Sequence, residues 1–181
     1  ASLSNLSAEW LKVLPRVAPD LEPFSFPFWE QLNSIEFLDL SGETLSDLSG
    51  LRFTPSLRFL HLAGTQISDL SPLSALKRLD FLDVSYTPVS DLSPLAGLPF
   101  LENLKIRGTR VSNLSPLTQT PALSWFDCAE TPVAELSPLE NLANFSLLNI
   151  ENTQVRSLKP LNTKRYFIFL SCTIENLAAG E

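Results

Sequence analysis

The side chains of this sequence best suited to nucleophilic, acid–base or metal chemistry are few. There is one histidine, His61, two cysteines, Cys128 and Cys172, and a set of acids among which Asp39, Asp83 and Asp127 recur at a fixed interval. Cys128 and Cys172 are 44 residues apart, and so are Asp39 and Asp83, and Asp83 and Asp127. That interval is twice a 22-residue period running through the chain, so each pair is two structural units apart. With one strand per unit, the members of a pair lie ~9–10 Å apart. A disulfide needs Cα atoms within ~7 Å, so the cysteines are expected to be free, buried and inert. The same separation is too long for two carboxylates to work together. His61 stands three units from Cys128, roughly 14 Å, which excludes a thiol–imidazole pair. No phosphate-binding glycine loop, zinc spacing or nucleophile motif occurs, so no catalytic residue, cofactor or metal is expected.

The elements that would position these residues follow from the period. The segments SDLSPL (68–73 and 90–95), SNLSPL (112–117), AELSPL (134–139) and RSLKPL (156–161) place Pro72, Pro94, Pro116, Pro138 and Pro160 at steps of 22. Thr65, Thr87, Thr109, Thr131 and Thr153 form a second column, and SDLSGL (46–51) is a weaker leading copy. Inside a unit, Leu57, Leu60 and Leu62 give an L-x-x-L-x-L spacing that ends in the period-two alternation of a half-buried strand. Leu70, Leu73, Leu76 and Leu79 then switch to a period of three. Ser71 before Pro72 reads as an N-cap and first helical residue, as do Ser93, Ser115 and Ser137 before their prolines. Only one turn of 3-10 or short α-helix fits there. Asp47, Asp69, Asp91 and Glu135, just upstream, are expected to bond backbone N–H groups of these turns.

This arrangement resembles the leucine-rich repeat family over about residues 24–177, and in particular the 22-residue class of bacterial internalins. The resemblance implies an α/β solenoid: a right-handed superhelix with about seven parallel strands on its concave side and short 3-10 or helical turns on its convex side. It also implies a general binding scaffold, not a particular activity. The sequence departs from many relatives in carrying Thr where they carry Asn, and the threonine hydroxyls are expected to bond backbone groups of the neighbouring turn. In the last unit the 22-residue step puts Phe167, Leu170 and Cys172 in the buried columns and Phe169 on the outward face.

Units that bury their leucines only against their neighbours need covers at both ends. Residues 1–33 are read as the N-terminal cover: a helix from Asn5 to Val17 capped by Ser7, then a degenerate half-unit around Phe26, Trp29 and Leu32. Phe24, Phe26, Phe28 and Trp29 are expected in its core. Residues 34–181 are read as the repeat array, with Lys164-Arg165 breaking the apolar column at a final water-facing edge.

Two outward columns flank the buried strand leucines. The first reads Phe37, Phe59, Phe81, Asn103, Trp125, Leu147 and Phe169, so six of seven positions are large and apolar where water-facing strands usually carry polar groups. It suits a cross-strand stacking ladder, a binding surface, or a surface covered by a part of a longer protein. The second reads Asp39, His61, Asp83, Lys105, Asp127, Asn149 and Ser171 and has the form of a self-compensating charge ladder. Lys105 and Arg107 make the fourth unit basic. They either balance Asp83 and Asp127 or form a cationic pair for a partner carboxylate, between the anchors Phe81 and Trp125. The candidate partner-binding residues are thus Phe37, Phe59, Phe81, Lys105, Arg107, Trp125, Leu147 and Phe169.

Composition narrows the function classes. Of 181 residues, 44% are apolar and 36 are Leu, enough to exclude wholesale disorder. A net charge of -7 disfavours nucleic acid and anionic membrane surfaces. No apolar run reaches the ~20 residues of a membrane span. The sequence does not begin with Met and is read as a trimmed or excised piece. The expected function is a non-enzymatic, monomeric protein–protein recognition module. A structural spacer in a larger protein and carbohydrate or ligand binding on the aromatics are the alternatives. Unpaired core cysteines suit a reducing cytosol, whereas the resemblance points to a secreted or cell-surface protein.

Overall fold

The computed structural model describes residues 6–17, 19–20, 22 and 25–161, with the backbone of a last strand at 167–169. Each period contributes one three-residue strand: β1 (Phe37–Asp39), β2 (Phe59–His61), β3 (Phe81–Asp83), β4 (Asn103–Lys105), β5 (Trp125–Asp127), β6 (Leu147–Asn149) and β7 (Phe167–Phe169). They form one parallel sheet in sequential order, so each strand neighbours only the units before and after it. From β1 to β6 the register advances by the expected 22 residues, Phe37 opposite Phe59 and Phe59 opposite Phe81. At the last step it advances by 20: Phe167 lies opposite Leu147, and Phe169 opposite Asn149. The expected register of Phe169 opposite Leu147 is therefore corrected: Phe167 stands there.

Between strands, 3-10 turns form at Ser49–Phe53, Ser71–Ala75, Ser93–Leu95, Ser115–Gln119, Ser137–Leu139 and Lys159–Leu161. The core between sheet and turns is continuous, and Leu60, Leu62, Leu73, Leu79, Leu82 and Leu104 are all fully buried in it. The capping differs from expectation. Leu70, Leu92, Leu114 and Leu136 hold the cap position without a side-chain bond, and the serines are the first helical residues. The acceptor lies two residues upstream of each serine. Asp47, Asp69, Asp91 and Asn113 take the N–H of Ser49, Ser71, Ser93 and Ser115 at 2.8–2.9 Å. Glu135 is not among the residues making this bond.

The threonine column also bonds differently. Thr65, Thr87, Thr109 and Thr153 donate their hydroxyls to the C=O of Leu62, Val84, Ile106 and Ile150, three residues back in the same unit, at 2.7–2.8 Å. In this column the hydroxyl therefore does not link one unit to the next. That link is made by backbone instead, as where Gln66 N–H reaches Leu45 C=O and Arg110 N–H reaches Val89 C=O, both at 2.9 Å.

Two helices precede the sheet, α1 (Ala8–Val17) and α2 (Phe26–Ser34). α1 begins after Ser7, whose hydroxyl accepts Trp10 N–H, and α2 after Ser25, whose hydroxyl accepts Phe28 N–H. Trp10 is fully buried and its indole N–H donates to Asp47 C=O at 3.0 Å. Its ring lies against Gly50, where an added Cβ would come within 2.1 Å. Gly50 occupies the column that holds proline in later units, so the weaker leading copy is the seat of the cap. Phe28 is fully buried and Trp29 partly so, whereas Phe26 is 75% exposed, because the first residue of α2 faces water and not the repeats. Phe24 lies outside the described residues.

Candidate interaction surface

The first outward column forms an unbroken row on the strand face, set by the register Phe37, Phe59, Phe81, Asn103, Trp125, Leu147. Only Phe37, at the edge, is largely exposed, at 59%. Phe59, Phe81, Trp125 and Leu147 are half-buried, and side chains of neighbouring positions lie against the three rings. His61 stacks on Phe81 with centroids 4.6 Å apart and meets Phe37 at 5.4 Å. The Arg58 guanidinium sits 5.2 Å from the Phe59 centroid. Lys105 holds its ammonium between two rings, 4.9 Å from Trp125 and 5.5 Å from Phe81, and 3.9 Å from the Asp83 carboxylate. The row is thus an aromatic surface threaded with cations, and its rings are held in place before anything binds.

The second column has a role the repeat pattern did not reveal. Asp39, Asp83, Asp127 and Asn149 each accept the backbone N–H two residues on, from Ser41, Ser85, Ala129 and Glu151, at 2.9–3.1 Å. These bonds turn the chain out of each strand. The Ser41 backbone bond is the first cause that holds the Asp39 carboxyl below its ordinary value. The acids are therefore backbone caps.

Arg107 turns to groups of its own chain. Its guanidinium lies 2.7 Å from Glu130 and 3.8 Å from Glu151, and its Nε donates to the Tyr86 hydroxyl at 3.0 Å. Glu130, then Tyr86, raise its pKa further above the ordinary arginine value. Tyr86 and Glu130 were not anticipated. Both have positive φ, 57° each, in a column they share with Gly42, Gly64, Gly108 and Asn152. The left-handed turn costs a non-glycine residue roughly 1–2 kcal/mol, and the contacts with Arg107 offset part of it. The alternation of Gly with Tyr and Glu at 22-residue steps was the signal available in the sequence.

Cys128 is fully buried and its thiol donates to Asn149 C=O at 3.4 Å. Burial, with Asp127 nearby, raises its pKa well above the ordinary thiol value, so the reactive thiolate is disfavoured. Cys172 lies outside the described residues. No group of three His, Cys, Asp or Glu converges as a metal site among the described residues, and none of their helices is long and apolar enough to cross a membrane.

Residues 55–97 match the family model for leucine-rich repeats in two copies. Among solved structures, internalin C2 of Listeria monocytogenes is 30% identical, with a TM-score of 0.74 over 81% of this chain and 66% of that one. A second Listeria monocytogenes internalin, InlF, shares 24% identity and a TM-score of 0.68 over 93% of this chain and 60% of its own. A leucine-rich repeat protein of Leptospira interrogans shares 22% identity and a TM-score of 0.71, over 79% of this chain and 38% of its own. The last two likenesses concern the fold. The chain spans less than two thirds of the length of each of these proteins. No curated protein sequence matches it.

Proposed function

The chain is a leucine-rich repeat protein with an internalin-like fold, a class typically used for protein interaction, and we propose that it binds a partner protein on the ring-lined face of its sheet, without catalysis. The observation that carries this reading is that the core is complete without the outward rings. Leu60, Leu82, Leu104, Phe126 and Leu148 already fill the inward strand positions at 0% exposure. Phe59, Phe81 and Trp125 on the opposite side add nothing to that core, yet they are prepositioned by His61, Arg58 and Lys105. Aromatic residues held rigidly beside charged groups have the form of interface anchors. Phe37, Phe59, Phe81, Trp125 and Leu147 would supply the apolar contact and Lys105 a polar one, with Arg107 shaping the rim through Tyr86 and Glu130.

The test is the double substitution Phe81→Glu with Trp125→Glu, checked by circular dichroism for an unchanged fold. Loss of two anchors should weaken binding of a partner by at least ~100-fold. Undiminished affinity of the folded variant for every partner of the parent chain would sink the reading.

A further inference from the structure

Among the described residues the sheet has an open edge at β1. In β2 the outward-facing peptide groups are all used: Phe59 N–H donates to Glu36 C=O at 2.8 Å, His61 C=O accepts Leu40 N–H at 2.9 Å, and Ala63 C=O accepts Gly42 N–H at 2.8 Å. The equivalent groups one unit earlier are Phe37 N–H, Asp39 C=O and Ser41 C=O. They lie on the side of β1 away from β2 and have no protein partner among the described residues. The described residues do not complete this ladder: those one period before β1, Pro15, Arg16 and Val17, end the helix α1. α1 packs on the first 3-10 turn and leaves a groove of about 300 Å³ beside the strand, lined by Val13, Arg16 and Val17 on one wall and Phe37 to Leu40 on the other. That volume is at the lower bound of ligand pockets.

The charges beside the groove are unequal. Arg16 is paired with Glu43 at 2.7 Å, while the exposed Asp39 has no lysine or arginine within ion-pair distance among the described residues. Within the sheet Lys105 stands in register opposite two such aspartates, Asp83 and Asp127, the latter on the strand that follows it. Unpaired strand-edge groups accept a further strand through main-chain bonds, with neighbouring side chains setting the preference.

We infer that the outer edge of β1 binds an extended segment of a partner protein as an additional parallel strand, with a basic residue set beside Asp39. The site is the edge of the sheet and not its ring-lined face, so either reading can fail without the other.

The probe is a synthetic peptide of residues 101–107 (Leu-Glu-Asn-Leu-Lys-Ile-Arg), which copies β4 and would put its lysine opposite Asp39. It is titrated into the full chain while amide exchange at Phe37 is followed by NMR. Binding should slow that exchange by at least ~10-fold. N-methylation of the peptide at its Leu104 and Ile106 positions, whose N–H groups would face β1, should weaken binding about tenfold or more. Methylation at its Asn103 and Lys105 positions, which would face away, should change it less than about threefold. Lysine to glutamate in the peptide should also weaken it. Absence of binding at about 1 mM, unchanged exchange at Phe37, or equal sensitivity to both methylation patterns would overturn the inference.

Discussion

Asp69 and Asp91 each take a serine N–H at the start of a 3-10 turn, and the serine bonds hold both carboxyls below their ordinary value near 3.8. A carboxylate whose pKa is lower in the folded state than in the unfolded chain stabilises the fold above the unfolded value. That contribution is lost as pH falls through the folded value. The thermal midpoint should therefore drop as pH falls below about 4. Asp69→Asn, which keeps the acceptor as Asn113 does naturally, should reduce that pH dependence, whereas Asp69→Ala should cost about 0.5–2 kcal/mol at neutral pH. A steeper acid slope in the Asn variant would contradict the assignment. Cys128 offers a second check at this scale. In a Cys172→Ser chain, disulfide-exchange reagents should label Cys128 only as fast as the structure opens, so labelling and unfolding rates should coincide. The type and position of these residues were legible from the repeat. The partners of Lys105 and Arg107 were not, because two adjacent cations on one strand reach different neighbours only after the register and the left-handed turns are set.

Gly50 shows what an element can conceal. By the repeat it is a defect, the one leading copy of S-x-L-x-P-L without its proline. In the fold it admits the Trp10 ring, and with the Trp10 indole bond to Asp47 and the Glu9 bond to Ser46 it fastens α1 to the first unit. Restoring the pattern should therefore harm the protein. Gly50→Ala and Gly50→Pro should each destabilise it by roughly 1–3 kcal/mol or more in denaturant titration, through overpacking against Trp10. A neutral or stabilising effect of the consensus proline would show that the ring moves aside at little cost. The same reasoning explains the α-helix at Phe26–Ser34. Its spacing echoes the repeat leucines, but Ser25 caps it and Pro27 occupies its first turn, so it continues as a helix where later units turn sharply.

Across the whole molecule each strand pairs only with the units next to it, so stability is a chain of nearest-neighbour interfaces along one elongated core. The fully buried Leu104 in β4 lies midway along it. Leu104→Ala should cost about 2–5 kcal/mol and weaken the link between the two halves. Trp10 in the cap and Trp125 in β5 report on opposite sides of that link. In single-tryptophan versions of the parent chain their unfolding curves should coincide, and in the variant they should separate. Coincidence in both would mean that the array unfolds as one unit regardless of its middle.

The period, the leucine columns, the positions of β1 to β6 and the burial of Cys128 were determined by the sequence, because a linear repeat writes each inter-unit contact as a fixed separation along the chain. Tertiary structure alone decided the shortened last register, the seat of Trp10, the ring faces covered by His61 and Lys105, and the unpaired edge of β1. Each depends on what lies beside a residue where the repetition stops or its side chain leans across units, and a periodic pattern carries no record of that.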